Sequence, residues 1–235
     1  MSWTTALRAV TPTMEDVADR IDKTTMFGGN GGGTANAQTC TISPAISALV
    51  KGMMIAYIPS VQSTGAATLT VNGISKSVKI YAKGALIDVR PGQLDVGKLA
   101  IFYYDGTYLV LVNPASPWLT WSPTLAGFSA NPTASSYRYK IDGDQCTVCV
   151  RQNTNGTSNA TNFTISAPIV AATVTDGNWG TTLVSIIDNG AAVSQAARAY
   201  ILTASSTITL DKDLNSGAWT NVNGKRASFT LTYEI

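Results

Sequence analysis

Thr64-Gly-Ala-Ala-Thr-Leu-Thr-Val-Asn-Gly73 alternates small or apolar residues with hydroxyl-bearing ones and then stops at Asn-Gly. Alternation with period two is the mark of a half-buried strand. Asn-Gly is the strongest short-range signal for a two-residue hairpin turn, because both residues tolerate positive φ. Leu69 and Val71 are therefore expected on one face, and Thr68 and Thr70 on the other. The stretch carries no charge, and the whole chain shares this character. Only 13% of its 235 residues are charged, against 45% hydrophobic, and the net charge is +2. Such a composition is too apolar for a disordered chain. It suits an all-β protein whose surface is solvated by hydroxyls and amides.

The same signals extend outward. "GMMIAYIP", "SVKIYA" and "KLAIFYYDGTYLVLVNP" read as strands, with a second turn at Asp105-Gly106. After the aromatic and proline-rich "PWLTWSP" come "YRYKID", "CTVCVRQ", "NFTISA", "TTLVSIID", "ARAYILTAS", "TITLDKD" and "ASFTLTYEI". Seven or more short strands in this part suggest a sandwich or jelly roll. Near the N-terminus, Met14, Val17, Ala18 and Ile21 recur at helical spacing among acidic residues. This predicts a short helix with a narrow apolar stripe, able to dock on a partner but not to form a core. "GGNGGG", Gly28 to Gly33, reads as a linker. The expected layout is an anchoring segment over 1–27, a linker over 28–33, a small β-domain over 34–117 and a C-terminal β-domain over 118–235.

Several function classes lose support. The sixteen Lys and Arg are scattered, so no phosphate-binding patch for nucleic acid is expected. No apolar run is long enough to insert in a membrane as a helix. The first residues lack the pattern of a signal peptide, which points to synthesis in a cytoplasm. The glycine run is not followed by Lys-Ser/Thr, so it is no phosphate loop, and no cofactor is expected. There is no histidine, the commonest general base and metal ligand. Cys146 and Cys149 have C-x-x-C spacing within a strand pattern, where residues three apart face opposite ways. With Cys40, they are expected as buried thiols rather than metal ligands. Asp142/Asp144 and Asp211/Asp213 are the only closely spaced carboxylate pairs considered for glycoside chemistry. A turn and a solvated loop account for them, and no enzyme activity is expected.

Two aromatic residues stand out for binding. Trp179 in "DGNWGTT" and Trp219 in "NSGAWTNVNG" are flanked by Gly and Asn, as in loops. An indole there either stacks on a receptor sugar or folds back to seal a core edge. Tyr137, Tyr139 and Tyr200 fall on strand positions and are expected in a core or an interface.

Gly33 to Ala37, Gly52 to Ile55, Ser63 to Gly73 and Phe102 to Pro114 together resemble a module of bacteriophage tail fibres and related virion appendages. Its pattern is a G-T-A-N-A-like start, a G-M-x-I/V strand, a T-G-A-A-T-L-x-V-N-G hairpin and a closing Y-D-G-T-x-x-L-x-N-P. The likeness covers about a third of the chain. "WLTWSPTL" and the following strand pair around Asp142-Gly143-Asp144 resemble, more weakly, the opening of distal fibre domains. The resemblance implies a non-enzymatic homotrimer in the virion, attached to other virion proteins through residues 1–27. Residues 34–117 would form a shaft or collar, and 118–235 a head that meets a glycan or protein on the host surface. The alternative it leaves open is a purely structural component: a head fibre, a capsid decoration or a baseplate adaptor.

Overall fold

The structure, a computed structural model, describes residues 25–173 and 178–235, with the backbone alone for Asn178 and Trp179. The helix expected around Met14, Val17, Ala18 and Ile21 lies outside the described residues. Among those described, every regular element is a β-strand. The chain divides into two compact units between Ala115 and Ser116.

The first unit holds nine strands: β1 (Thr25–Asn30), β2 (Gly32–Thr34), β3 (Ala37–Cys40), β4 (Met54–Ile58), β5 (Ala67–Val71), β6 (Ile74–Ala82), β7 (Ala85–Asp88), β8 (Ala100–Tyr104) and β9 (Leu109–Leu111). They form one sheet in the order β1-β4-β8-β9-β6-β5-β3-β2, with β7 alongside β6. The two ends of that order are a single stretch of chain, since only Gly31 separates β1 from β2. The Gly31 N–H donates to Ile58 O at 2.8 Å, continuing the ladder with β4. The sheet thus curls until its ends meet in one strand.

The glycine run is accordingly not a linker, and the reason is steric. A Cβ on Gly31 would lie 2.7 Å from the Tyr57 ring, and one on Gly28 would lie 3.0 Å from Cys40 Sγ. Gly33 has φ +87°, and its Cβ would fall 2.2 Å from Ala37 O. The closing strand passes over buried Tyr57 and Cys40 so closely that side chains do not fit.

The hairpin behaves as its pattern predicts. Ala67, Leu69 and Val71 are buried, whereas Thr68 and Thr70 are only half-buried. Val71 pairs with Ile74 across a two-residue turn, with Asn72 at φ 47° and Gly73 at φ 89°. The core joins these residues to Ile55, Tyr57, Val78, Ile80, Leu94, Phe102 and Leu109.

The second unit holds β10 (Leu119–Thr120), β11 (Leu125–Ala126), β12 (Phe128–Ala130), β13 (Ser135–Asp142), β14 (Gln145–Gln152), β15 (Gly156–Ser158), β16 (Thr164–Ser166), β17 (Asn178–Asp188), β18 (Ala191–Ala192), β19 (Ala197–Leu202), β20 (Thr207–Asp211) and β21 (Gly224–Glu234). The main path runs β10-β13-β14-β21-β17-β19-β20-β16-β11. β17 pairs with β19 through its first half and with β21 through Ser185–Ile187. β21 pairs with β14 through Ser228–Glu234. These two long strands carry the sheet around a core of Val148, Val150, Phe163, Ile165, Ile201, Leu210, Phe229 and Leu231. Trp179 belongs to β17, which corrects its expected place in a loop; its side chain is outside the described residues.

Candidate functional site

Register decides which side chains share a face, because directly opposed residues in a ladder point the same way. In β21, Lys225, Ala227, Phe229, Leu231 and Tyr233 point inward. On β14, Cys146, Val148 and Val150 are inward, and Arg151, Cys149, Thr147 and Gln145 belong to the other face. That outer face is built in rows. Ser136, Arg151 and Ser228 form one; Thr120, Arg138, Cys149 and Thr230 the next; Lys140, Thr147 and Thr232 the third; Asp142, Gln145 and Glu234 the last. Thr147 and Thr232 hydroxyls are bonded to each other at 3.0 Å.

Trp118 precedes β10 and lies across this face. Its register, one residue beyond the Leu119–Tyr139 pair, puts it beside Lys140. The Arg138 guanidinium lies 5.5 Å from its ring centroid and the Lys140 ammonium 5.7 Å. Both distances are within cation–π range. Trp118 is still 44% exposed. Among the described residues, no ion pair engages Arg138, Lys140 or Arg151. An exposed indole, three cations without a carboxylate partner among the described residues and a field of hydroxyls make this the second unit's best-equipped surface for a polar ligand. In the sequence Trp118 lies inside the proline-rich "PWLTWSP" boundary, where nothing local marks it as a contact residue.

Trp219 is not on that surface or any other. It is 3% exposed, and its Nε1–H donates to Leu210 O at 2.7 Å. Of the two roles open to this candidate receptor contact, the structure has the second: the loop folds inward and the ring seals the core. Its ring packs edge-on against Phe163 at 5.1 Å, and Phe163 against Phe128 at 4.8 Å. These three rings surround the Lys225 ammonium at 5.1 to 5.9 Å. Lys225 is fully buried and donates to Asn162 O at 2.7 Å and Ala160 O at 3.0 Å. Burial pushes its pKa down to about 8, partly opposed by the Asp188 carboxylate. Asp188 is itself held by the Thr220 backbone and hydroxyl and by Lys212. The sequence signal for Lys225 was its place in the inward row of β21.

The carboxylate pairs are engaged locally. Asp211 accepts from Arg198 Nε at 2.8 Å and from the Ser216 hydroxyl. Asp213 accepts the N–H groups of Asn215 and Gly217. Asp142 and Asp144 flank the Gly143 turn between β13 and β14. Cys40, Cys146 and Cys149 are buried free thiols. Among the described residues, no group of three His, Cys, Asp or Glu side chains could hold a metal ion. Tyr137 and Tyr139 are half-buried against the core, each packed by Trp121, and Tyr200 lies under Arg198.

In the first unit, Thr25, Phe27, Ile42, Ser43, Ser47 and Val50 are among the residues lining a groove of mixed polar and apolar character, about 670 Å³, beside the start of β1. Phe27 and Val50 are exposed there. The polar residues of the fibre-like motifs are spent on the backbone. Asn36 accepts the Thr64 N–H and donates to its hydroxyl. Asn72 bonds both N–H and C=O of Ile42. Asp105 accepts from Thr107 and Tyr108 N–H, and Asn113 bonds Ile101 N–H and Leu99 O.

Comparison with family models, with curated proteins and with solved structures gives no match to this chain.

Proposed function

We propose that this chain is a non-enzymatic structural protein of a bacteriophage particle, a short trimeric tail fibre or spike whose C-terminal unit binds the host surface. The observation that carries the reading is the use made of the fibre-like motif residues. Asn36, Asn72, Asp105 and Asn113 each bond backbone groups at the ends or turns of the β3–β5 and β8–β9 strand pairs, where the ladders stop. The resemblance therefore rests on residues the first unit needs for its shape, which supports a shared module. The groove beside Thr25 supports attachment near the N-terminal segment, since the chain enters β1 at its rim. The outer face with Trp118, Arg138 and Lys140 supports a binding role for the second unit.

A trimer also gives the low charge a physical reason. Charges near a threefold axis would meet two like charges, which is costly once desolvated. The groove equally favours the second reading, a virion component without receptor binding. Mixing the purified chain with bacterial cells and measuring its depletion from solution separates the two. Saturable depletion by some strains and not others is expected of a receptor-binding head. Uniform absence of depletion would leave the purely structural role.

A further inference from the structure

The reading of the second unit as a host-binding head leaves the contact surface and the ligand's chemistry open, and the inference here rests on that reading. We propose that the outer face of the β10-β13-β14-β21 sheet binds an acidic polysaccharide. Trp118 is the stacking platform, and Arg138, Lys140 and Arg151 pair with the sugar carboxylates.

Four observations converge. Trp118 is exposed beside its strand, and an indole face packs against the C–H face of a pyranose ring. Arg138 and Lys140 stand two residues apart on β13, about 7 Å by strand geometry, on one side of the sheet. Arg151 projects from the neighbouring strand one row further. Among the described residues of these strands, acids on the face are confined to the turn end, at Asp142 and Glu234, whereas a face built only for solubility intersperses both signs. Between the cations lie Thr120, Thr230, Ser136 and Ser228, whose hydroxyls match a sugar's own hydrogen-bonding groups. A nucleic acid would call for a denser row of cations along a phosphate backbone than three.

The arrangement also accounts for Cys149. It belongs to the outer face yet is only 7% exposed. Arg138, opposite it on β13, lies with its guanidinium 5.5 Å from the Trp118 ring centroid, so the platform and its cation flank this row. The platform is thus held in place before any ligand arrives, which lowers the ordering cost of binding.

The test uses the full chain on a printed array of purified bacterial polysaccharides, acidic and neutral, with a thymidine oligonucleotide as a phosphate control. Parent protein is compared with Trp118→Ala and with Arg138→Gln/Lys140→Gln. Thermal unfolding first establishes that the variants fold as the parent does. The expected result is binding to acidic members, weakened about tenfold or more in each variant and weakened by salt. Binding to neutral members that neither variant alters would overturn the site while leaving the receptor-binding reading intact. Oligonucleotide binding that equals polysaccharide binding and ignores Trp118→Ala would reduce the face to a phosphate patch and overturn the proposal. No binding to any member would overturn the site, and the depletion measurement on cells would then decide the wider reading on its own.

Discussion

The two units seal their cores by opposite means. The first removes side chains: its closing strand is Gly28 to Gly33, passing within contact of Tyr57 and Cys40. The second inserts one: Lys225 reaches into a ring of Phe128, Phe163 and Trp219 and ties off two carbonyls. The first solution depends on backbone approach and tolerates no added atom. The second depends on a buried charge and therefore on pH.

Gly33→Ala is the hardest test of the first half of that contrast. The substitution forces a non-glycine residue to φ +87° and drives Cβ into the Ala37 carbonyl. A loss of about 3–4 kcal/mol in the first unit's unfolding is expected. A linker would register within about 0.5 kcal/mol. Gly31→Ala, which meets the Tyr57 ring, should cost about 2 kcal/mol by overpacking. Chemical denaturation of each variant reads both values.

Lys225→Met probes the second unit. It leaves the Ala160 and Asn162 carbonyls without their donor, at a cost of about 1–3 kcal/mol. The pH dependence is more telling. Lys225 titrates near 8 when folded against 10.5 as its ordinary value, so the unfolded chain holds more protons between the two. Stability from this group rises as pH climbs through that window. Cys40 runs the other way. Burial lifts its thiol from 9.0 to about 11, so the folded state holds the extra proton and stability falls across that window. Melting temperatures between pH 8 and 10.5 should show the parent gaining on Lys225→Met and losing ground to Cys40→Ala. Parallel curves would remove pH from the comparison.

Tyr57→Phe gives the smallest effect. Tyr57 donates to Gln38 Oε1, while Gln38 Nε2 donates to the Ala35 and Val61 carbonyls. Losing the hydroxyl strands one buried acceptor, for about 1–2 kcal/mol. It also tests the buried contact between β4 and β3.

These differences explain what was legible in the sequence. The Leu69/Val71 and Thr68/Thr70 alternation and the Asn72-Gly73 turn are local, so their physics is written within ten residues. The strand role of Gly28 to Gly33 is non-local: its cause is Tyr57 and Cys40, which composition places nowhere near it. The role of Trp219 is open in the sequence because Gly and Asn neighbours mark a loop correctly but do not say which way its side chain turns. Trp118 was missed because its cations, Arg138 and Lys140, come to it through strand register. The polar residues of the fibre-like motifs act as backbone ties within the first unit. For the same reason they carry little about what the second unit touches.

The measurement that tests the central claim most directly is solution mass by light scattering, on the intact chain and on one beginning at Thr25. Beginning at Thr25 retains β1, which a start within the glycine run would destroy. The account predicts a mass near three times 24.6 kDa for the intact chain and three times its own mass for the shortened one. A monomer in both would contradict the trimeric appendage, and a trimer lost on truncation would move assembly to residues 1–24.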